Sequence, residues 1–559
     1  MYRQFLIILS LASVTATAQP YPTDYFRNPL DIPILLAGNF GECRPNHFHS
    51  GLDIKTMGKE NLPVYAAADG YISRIKMESG GFGHGLYITH PNGYTTLYAH
   101  LNEFTPEVQQ YVRKEQYKNE SWTLDLQFQP SQFPVKKGQQ IAWSGNTGSS
   151  TAPHLHFEIR DNKTEHPLNP MLFGLDINDH IPPVIQTLAV YNLSASLYEQ
   201  TPLLFVVKKS GEHYVVSDTI TVNASLVGFG LQTDDYMDGS GSTLTFYKAA
   251  VTIDDSPLGT ITLDDIGYDV TRYQHAYIDY KTKKQKGQFI QLLYQLKGNQ
   301  LNSIYNWDKH NRGNIELADQ NTHHVTVELI DAANNKTNFS FFIRKAADSS
   351  ITPCVSKPFK ANESNTFETP NIKLTLNEKA LYDDICFTYA TMVDANALSN
   401  RHRIHYTYVP VHSYFDLYIK PNRAIAFNHK DKIALVYNDG KEESGKAATL
   451  DGAWYKASVR NFGEYRLVLD TTAPDIKTTL KNNALLTKTT RITFIIKDEI
   501  TSVKRFRGEL DGKWICFEQH SDDFFYTFDE HCPKGKHKLV FTATDENGNS
   551  KTIHLNFTR

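Results

Sequence analysis

Histidine and aspartate recur in three short patches of the sequence, in a combination suited to binding a metal ion. The patches read HFHSGLD, LYAH and APHLHF, and they contain His49, Asp53, His100, His154 and His156. Two imidazoles and one carboxylate, with a fourth position open for water, form the ligand set of a catalytic zinc site. Neutral imidazole also favours zinc over calcium or magnesium. The residue types therefore predict zinc chemistry.

The spacing places conditions on the local structure. In an extended strand, His49 and Asp53 would lie roughly 13 Å apart, so they can share one ion only if the chain turns between them. Ser50 and Gly51 permit such a turn. His154 and His156 fall on the same face of a strand. His47 forms a second His-x-His pair with His49, so spacing alone leaves open which imidazoles bind.

Short alternating strands surround these patches. Residues 71–75 alternate as a half-buried strand, and Asn92-Gly93 separates two alternating runs, which is a strong hairpin signal. We therefore predict a compact, mainly antiparallel β domain over 19–174, with its core at 46–170. The long polar stretch 102–134 is predicted to be an insert at the border of a cleft, because connections of this length in compact domains are often functional.

Downstream of this region, strands alternate with polar turns. The string DHIPPVI, which begins at Asp179, resembles DTTAPDI, which begins at Asp470; VELIDAANN from Val327 resembles FTATDENGN from Phe541. Regularly spaced short strands favour β-sandwiches. We predict a mainly β chain, in which two or three immunoglobulin-like β-sandwich domains follow the first domain. The predicted bounds are 175–346 with insertions, 347–470 and 471–559.

The N-terminus and the charge indicate the compartment and exclude some partners. The apolar run FLIILSLA is followed by Ala16-Thr17-Ala18, which predicts a signal peptide at 1–18. We therefore expect export to the periplasm, the cell envelope or the medium, with no transmembrane segment in the mature chain. Lys plus Arg number 57 against 61 Asp plus Glu. This lack of basic excess argues against nucleic acid as a partner.

The five cysteines also bear on export. An exported chain meets oxidising conditions, and an odd number leaves at least one cysteine unpaired within the chain. Cys516 and Cys532 flank a stretch that reads as two strands and a turn. We predict a disulfide between them.

The three patches and their surroundings resemble the lysostaphin-type zinc endopeptidases. The matching strings are VYAAADGYI, NGYTTLYAHL and VKKGQQIAWSGNTGSSTAPHLHFEI, all within about 46–170. The resemblance implies that His49, Asp53 and His156 bind zinc. It further implies that His154 activates or orients the attacking water and that His100 helps to stabilise the charged intermediate. The insert at 102–134 is longer than is usual in this family.

The same resemblance implies a function. Members of the family hydrolyse peptide bonds of peptidoglycan, so we expect an exported zinc endopeptidase with peptidoglycan as its partner. Two alternatives belong to other classes: a non-catalytic regulator of other peptidoglycan hydrolases, and a binding or adhesion protein with a vestigial peptidase domain. The ligand positions discriminate between them, and here all five are filled.

Overall fold

The structure, a computed structural model, describes residues 21–308, 311–347 and 353–559. Strands dominate these residues, and nearly all strand pairs are antiparallel. The mainly β fold predicted from the sequence is therefore confirmed. The signal peptide predicted at 1–18 lies outside the described residues. Among the helices that the structure does describe, none combines the length and the apolar character that a bilayer crossing requires.

The N-terminal unit, residues 21–177, contains two sheets and one long helix. The larger sheet has the order β1-β2-β11-β6-β5-β4-β8, with β12 beside β11 and β9 beside β4; the smaller has the order β3-β10-β7. The elements are β1 (Leu36–Gly38), β2 (Leu52–Lys55), β3 (Pro63–Tyr65), β4 (Gly70–Met77), β5 (His84–Thr89), β6 (Tyr94–Ala99), β7 (Leu101–Phe104), α1 (Pro106–Asn119), β8 (Leu124–Gln127), β9 (Pro134–Val135), β10 (Gln140–Ser144), β11 (His154–Asp161), β12 (Pro167–Leu168) and a 3-10 turn (Pro170–Phe173).

Strand β11 explains how this sheet carries both a core and a polar face. Successive side chains of a strand point to opposite faces. Leu155, Phe157 and Ile159 are fully buried in the hydrophobic core of the N-terminal unit. The residues between them are His154, His156, Glu158 and Arg160, which share the other face. Because side chains alternate along the whole strand, one face packs into the core and the other carries the polar residues.

The predicted insert forms helix α1 and strand β8. Pro106 begins the helix, where its missing N–H is not needed. Val108, Val112 and Gln116 are spaced four residues apart and form the buried stripe of an amphipathic helix. Strand β8 then pairs with β4 and forms the edge of the larger sheet.

Helix α1 also contacts the far end of the chain. The Tyr117 ring stacks on His531 with 3.5 Å between centroids, and its hydroxyl donates a hydrogen bond to Asp529 at 2.5 Å. Arg507 forms an ion pair with Glu120 at 2.7 Å. The cavity between α1 and 529–531 is lined by neither the histidines of the three patches nor Asp53. The insert thus lines an interface between the first and last units, and its predicted place at an active-site cleft stays a prediction.

The second unit, residues 184–345, contains a five-stranded and an eight-stranded sheet. Their orders are β14-β13-β18-β21, with β23 beside β18, and β15-β16-β25-β24-β19-β20-β22, with β17 beside β25. The elements are β13 (Val184–Asn192), β14 (Leu203–Val206), β15 (Lys208–Ser210), β16 (His213–Val215), β17 (Ile220–Val222), β18 (Leu226–Asp234), β19 (Lys248–Ile253), β20 (Ser256–Thr262), α2 (Gln274–Tyr277), α3 (Tyr280–Lys286), β21 (Gln291–Leu292), β22 (Tyr305–Trp307), β23 (Ile315–Glu316), β24 (Thr322–Ile330) and β25 (Lys336–Lys345).

The first two units exchange side chains. Phe40 and Phe48 of the N-terminal unit belong to the hydrophobic cluster of the second unit. In return, Met237 and Leu244 of the second unit are buried in the core of the N-terminal unit. Burying a large apolar side chain contributes roughly 1.5–3 kcal/mol, so this contact stabilises one relative placement of the two units. The predicted domain bounds near Leu175 stay a prediction.

The third unit, residues 357–469, adds three sheets, with the orders β26-β29, β27-β28-β32-β36-β35 and β30-β31-β37-β33-β34. Its buried side chains continue the hydrophobic cluster of the second unit. The strands are β26 (Lys357–Phe359), β27 (Asn365–Glu368), β28 (Ile372–Leu376), β29 (Ile385–Phe387), β30 (Tyr389–Met392), β31 (Arg401–Ile404), β32 (Pro410–Ile419), β33 (Ile433–Asn438), β34 (Glu443–Ala447), β35 (Thr449–Asp451), β36 (Trp454–Asn461) and β37 (Gly463–Leu469).

The C-terminal unit, residues 475–558, has two sheets and a hydrophobic cluster of its own. The sheet orders are β38-β40-β44-β43 and β39-β46-β45-β41-β42. Phe494 and Phe524 from the first sheet meet Phe541 from the second, as in a β-sandwich. The strands are β38 (Asp475–Thr478), β39 (Ala484–Leu485), β40 (Arg491–Lys497), β41 (Val503–Leu510), β42 (Lys513–Ile515), β43 (Glu518–His520), β44 (Asp523–Thr527), β45 (Lys536–Asp545) and β46 (Ser550–Thr558).

The predicted disulfide between Cys516 and Cys532 is wrong. The structure instead joins Cys354 to Cys386, and both predicted partners are free thiols buried in the C-terminal unit. The reason is the pairing of β26 with β29, which brings residues 32 positions apart in sequence to within 5.4 Å between Cα atoms. A local strand-and-turn pattern carries no information about that pairing.

The disulfide assignment predicts a thiol count. Alkylation of the denatured, unreduced protein should label three cysteines, and alkylation after reduction should label all five. Mass spectrometry of the labelled protein gives both numbers directly, and peptide mapping should find Cys354 and Cys386 unlabelled in the first sample. A single free thiol, with two disulfides, would contradict the assignment.

Candidate metal centre

His49, Asp53 and His156 converge on one buried point. His49 Nε2 lies 3.0 Å from Asp53 Oδ1 and 3.1 Å from His156 Nδ1, and His156 Nδ1 lies 2.9 Å from the same carboxylate oxygen. His154 Nε2 lies 3.3 Å from that oxygen as well. The structure therefore brings together the three residues predicted as ligands, with a fourth imidazole beside them.

Strand register and a tight turn produce this convergence. Strand β11 pairs with β2 so that His156 stands opposite Asp53, and with β6 so that His156 stands opposite Ala99, which directly precedes His100. The turn before β2 swings His49 back toward Asp53, as the sequence required. A Cβ at Gly51 would lie 2.3 Å from the carbonyl oxygen of Phe157, so only glycine fits at this crossing.

Each imidazole of the pair His49 and His156 has one nitrogen engaged outside the cluster. His49 Nδ1 lies 2.8 Å from the carbonyl oxygen of Asn39, and His156 Nε2 lies 2.9 Å from Glu158 Oε1. A carbonyl oxygen only accepts, so His49 carries its proton on Nδ1; the Glu158 carboxylate likewise accepts from Nε2–H of His156. The remaining nitrogens, His49 Nε2 and His156 Nδ1, face the centre, and such outer contacts are typical of metal-binding histidines.

The two predicted catalytic histidines lie beside this cluster and are held in the same way. His154 Nδ1 lies 2.8 Å from the carbonyl oxygen of Ala152, and His100 Nδ1 lies 2.8 Å from that of Thr147. The two rings are 4.7 Å apart between centroids. His100 adopts a φ of 56°, in the left-handed region that is uncommon for residues other than glycine. Backbone strain is thus accepted where His100 turns toward the cluster.

The charges around the centre keep the carboxylate ionised, whereas burial lowers the pKa of His49. Although burial alone would lower the pKa of His156, its hydrogen bonds to Asp53 and Glu158 raise it to about 9. Burial works against ionisation of Asp53, but the neighbouring His49 and hydrogen bonds to His154 and His156 hold its pKa well below the usual value. Arg44 also contacts its second oxygen at 2.7 Å. Burial, with the nearby His156 and His154, lowers the pKa of His100 to about 3.

A buried network supports His156 from behind. Glu158 accepts hydrogen bonds from Ser50 at 2.6 Å and from Arg160 at 2.7 Å. The hydroxyl of Tyr268, which belongs to the second unit, lies 2.7 and 2.8 Å from its two oxygens. Although burial alone would raise the pKa of Glu158, the charge of Arg160 and the contact with His156 lower it to about 2.

Sequence reasoning missed this network in part for a physical reason. Glu158 and Arg160 continue the polar face of β11 and were detectable from its alternation. Tyr268 lies 110 residues away in sequence from Glu158, so only the packing of the second unit reveals it. His47 lies exposed outside the cluster, so the imidazole that the structure brings to Asp53 and His156 is that of His49.

A polar groove runs beside the centre between three units. It has a volume of about 580 Å³ and is lined by His47, Tyr268, Arg272 and Arg460, among others. In the described part of the chain, neither arginine has a carboxylate within salt-bridge distance; each instead donates to a backbone carbonyl. Burial and the nearby Arg460 lower the pKa of Arg272. The groove therefore offers positive charge to an anionic ligand.

The donor set fits zinc. Two imidazole nitrogens and one carboxylate oxygen lie within 4.8 Å of one another, and each imidazole is oriented by an outer hydrogen bond. Three inward lone pairs at about 3 Å repel one another unless a cation or proton lies between them. Nitrogen donors exclude calcium and magnesium as preferred occupants. Such a ligand set, with His154 and His100 beside it, is of the type that catalytic zinc sites use.

Two segments of the chain match known protein families. Residues 47–117 and 126–170 match Peptidase family M23, and the gap between them falls inside the predicted insert. The segment 47–170 is therefore an M23 peptidase domain, which confirms the resemblance found in the sequence. Residues 356–470 match a Zu5-like domain and coincide with the third unit.

Three curated relatives share the peptidase segment. DD-carboxypeptidase/endopeptidase Mpg of Neisseria meningitidis is 35% identical over 127 residues, which is 23% of each chain. Peptidoglycan DD-endopeptidase ShyB of Vibrio cholerae is 33% identical over 111 residues, 20% of each chain. Murein hydrolase activator NlpD of Salmonella dublin is 31% identical over 158 residues, 28% of this chain and 33% of the relative. The chain thus spans a third or less of the length of these relatives.

The network behind His156 leads to a prediction about metal affinity. Glu158→Gln keeps the size of the side chain but removes the charge that orients His156, and its amide N–H faces Arg160. We expect zinc affinity to fall about 10- to 100-fold, the usual effect of removing such a partner. Competition with a chromophoric chelator measures it on the purified chain. Glu165→Gln, at an exposed carboxylate of the same unit, is the matched control; equal affinities in the two variants would contradict the role of Glu158.

Proposed function

We propose that this chain is an exported zinc metalloendopeptidase that hydrolyses peptide cross-links of peptidoglycan. The single observation that carries the proposal is the convergence of His49, Asp53 and His156, with His154 and His100 beside the same point. His49 and His156 would hold zinc through Nε2 and Nδ1, and Asp53 through Oδ1. When bound, zinc would supply a Lewis acid that makes an attacking water available near neutral pH.

The two remaining histidines then have separate tasks. His154 Nε2 carries a lone pair, since Nδ1 donates to Ala152, and it would accept the proton of the attacking water and later return it to the leaving amine. His100 Nε2 is an acceptor in the neutral ring, because Nδ1 donates to Thr147. His100 would therefore stabilise an oxyanion only after it takes up a proton. General acid–base groups of this kind contribute roughly 10²- to 10⁴-fold in rate.

The substrate class is supported by the relatives and by the groove. ShyB acts on peptidoglycan by its name, and Mpg is named as an endopeptidase. The peptides of peptidoglycan carry free carboxylates, which Arg272 and Arg460 suit by charge and by the planar fork of the guanidinium. The N-terminal sequence, with its predicted signal peptide, supports export to the compartment where this polymer lies.

A non-catalytic role is the second candidate, because one relative is named an activator of murein hydrolases. The two functions differ in one measurable property, which is hydrolysis by the purified chain itself. The filled ligand positions and the two oriented histidines favour the enzyme.

Histidine variants should separate metal binding from catalysis. We expect His49→Ala and His156→Ala to lose most bound zinc, while His154→Ala and His100→Ala keep it and lose at least about 100-fold in hydrolysis of sacculi. Zinc is measured by elemental analysis, and products are identified by mass spectrometry.

His166→Ala is the matched control for these variants, because His166 lies in the same unit, pairs with Asp265 and is outside the cluster. It should keep both zinc and activity. Full zinc in both ligand variants would refute the ligand assignment. The wild-type chain could show no hydrolysis by itself but increase the activity of a partner hydrolase when the two are mixed. That result would favour the activator.

The groove predicts an effect on substrate binding. Arg460→Ala should raise KM for carboxylate-bearing peptidoglycan fragments by about three- to tenfold, with kcat little changed, because one charge-assisted contact is lost away from the reacting bond. The same fragments with amidated carboxylates should show no such difference. Arg423→Ala, at an arginine of the third unit outside the groove, should behave like wild type. An unchanged KM for Arg460→Ala would contradict substrate binding in the groove.

A further inference from the structure

Three buried aspartates meet where the N-terminal unit joins the second unit. Asp179 lies in the connection between the units, Asp235 follows β18, and Asp331 lies in the turn between β24 and β25. One carboxylate oxygen from each lies within 4.8 Å of the others. The three residues are only 7%, 2% and 2% exposed. Asp and Glu are almost never this buried without a partner.

Two of the oxygens in this cluster lack any hydrogen-bond partner. They are Asp179 Oδ2 and Asp235 Oδ1, both on residues more than nine-tenths buried. In the part of the chain that the structure describes, none of the three carboxylates has a lysine or arginine within salt-bridge distance. Burying a charged or polar group without compensation costs several kcal/mol. The cluster therefore presents acceptors that point to a cationic ligand.

Mutual repulsion agrees with this reading. Burial and the charges of Asp331 and Asp179 raise the pKa of Asp235 to about 8. Burial raises that of Asp179 to about 6, with Asp331 adding to the effect. Each carboxylate thus makes its neighbours harder to ionise, which is the expected behaviour of like charges that share one site.

The backbone holds the other oxygens in place. Asn335 donates its N–H to Asp331 Oδ1 and its side-chain N–H to Oδ2, both at 2.8 Å, and the same amide nitrogen lies 3.2 Å from the carbonyl oxygen of Asp179. Ile181 N–H donates to Asp179 Oδ1 at 3.0 Å. The cluster is thus fixed by short loops, and the free oxygens of Asp179 and Asp235 remain available.

The sequence repeat reproduces this arrangement at a second junction. Asp470 and Asp545 occupy the positions of Asp179 and Asp331, and with Asp498 they form another cluster within 4.8 Å. Asn549 donates to both oxygens of Asp545 and to the carbonyl oxygen of Asp470 at 3.1 Å, as Asn335 does in the first cluster. This second cluster joins the third and C-terminal units, and in it Thr501 donates to Asp470 and Asp498.

We propose that Asp179, Asp235 and Asp331 bind a calcium ion that fixes the N-terminal unit against the second unit. An all-oxygen donor set selects a hard cation over zinc. Three carboxylates, with the carbonyl groups and water available at a loop, provide the six to eight oxygens that calcium takes, whereas magnesium demands a stricter octahedron. A cavity of about 290 Å³, lined by Leu175, Asp179 and Ala332, reaches the cluster at Asp179.

The ion would also stiffen the surroundings of the zinc ligands. Asp235 closes the base of the loop 235–244 through two backbone hydrogen bonds with Leu244. Beyond it, Thr245 exchanges two hydrogen bonds with the side chain of Asn39, whose carbonyl oxygen contacts His49. Met237 in the same loop is buried in the core of the N-terminal unit. Calcium at Asp235 would therefore anchor a loop that is tied to the metal centre.

Calcium binding tests the proposal on the full chain. The protein is freed of metal on a chelating resin, reloaded with one equivalent of zinc and dialysed to equilibrium against radioactive calcium. The background variant Asp498→Asn disables the second cluster. The Asp498→Asn protein should bind one more calcium ion per chain than the double variant Asp235→Asn/Asp498→Asn. The Kd of this ion should be about 0.1–1 mM, as in extracellular calcium modules. Equal calcium counts in the two proteins, or binding that magnesium displaces at equal concentration, would overturn the proposal.

Thermal unfolding provides a second readout that a merely structural role would not give. The parent protein is Asp498→Asn, and the variant adds Asp235→Asn to it. Without calcium, the variant should melt at or above the temperature of the parent, because the substitution removes repulsion between buried charges. With calcium in excess over its Kd, the parent should melt higher, since a ligand that binds only the native state stabilises it. Asp319→Asn, at an exposed aspartate of the second unit, should keep the calcium response of the parent. A variant that melts lower than its parent by the same amount with and without calcium would refute the metal role.

Discussion

The candidate site depends on the burial of the Asp53 carboxylate among imidazoles whose outer nitrogens are already engaged. Asn39 and Glu158 each take one N–H of a histidine, so the opposite nitrogens face the carboxylate and, when unprotonated, direct lone pairs at it. This arrangement is electrostatically unfavourable by itself and favourable around a dication. The fold tolerates it because Arg44 and Arg160 balance the nearby carboxylates. In a site of this kind the donor atoms are already in position before an ion binds.

The sheet supplies that preorganisation through register. Adjacent strands β2, β11 and β6 place Asp53, His156 and Ala99 in one row across the sheet, and His100 follows at the end of β6. A slip of one residue in β11 would turn its histidines into the core and its apolar residues outward. The burial of Leu155, Phe157 and Ile159 therefore fixes the register that keeps the histidines on the other face.

The other units contribute to the site rather than merely following it. Tyr268 of the second unit contacts Glu158, Thr245 contacts Asn39, and the groove beside the cluster takes Arg272 from the second unit and Arg460 from the third. Helix α1 meets the C-terminal unit through Tyr117. The β units thus lie against the peptidase segment, and two of them line the groove beside the cluster.

The sequence by itself predicted the mainly β class, the resemblance of the first domain to lysostaphin-type peptidases and the patches of histidine and aspartate that could bind a metal. The local signals are strand alternation, the Ser-Gly turn and the His-x-His spacing. They can be recognised in the sequence without knowledge of the fold. Only the tertiary structure decided which imidazole pair converges, and it also supplied Tyr268, the groove arginines and the meeting of three distant aspartates. The disulfide shows the same limit, because Cys354 and Cys386 approach only through the pairing of β26 with β29. Contacts between distant segments depend on packing and strand order, which no short pattern of residue types encodes.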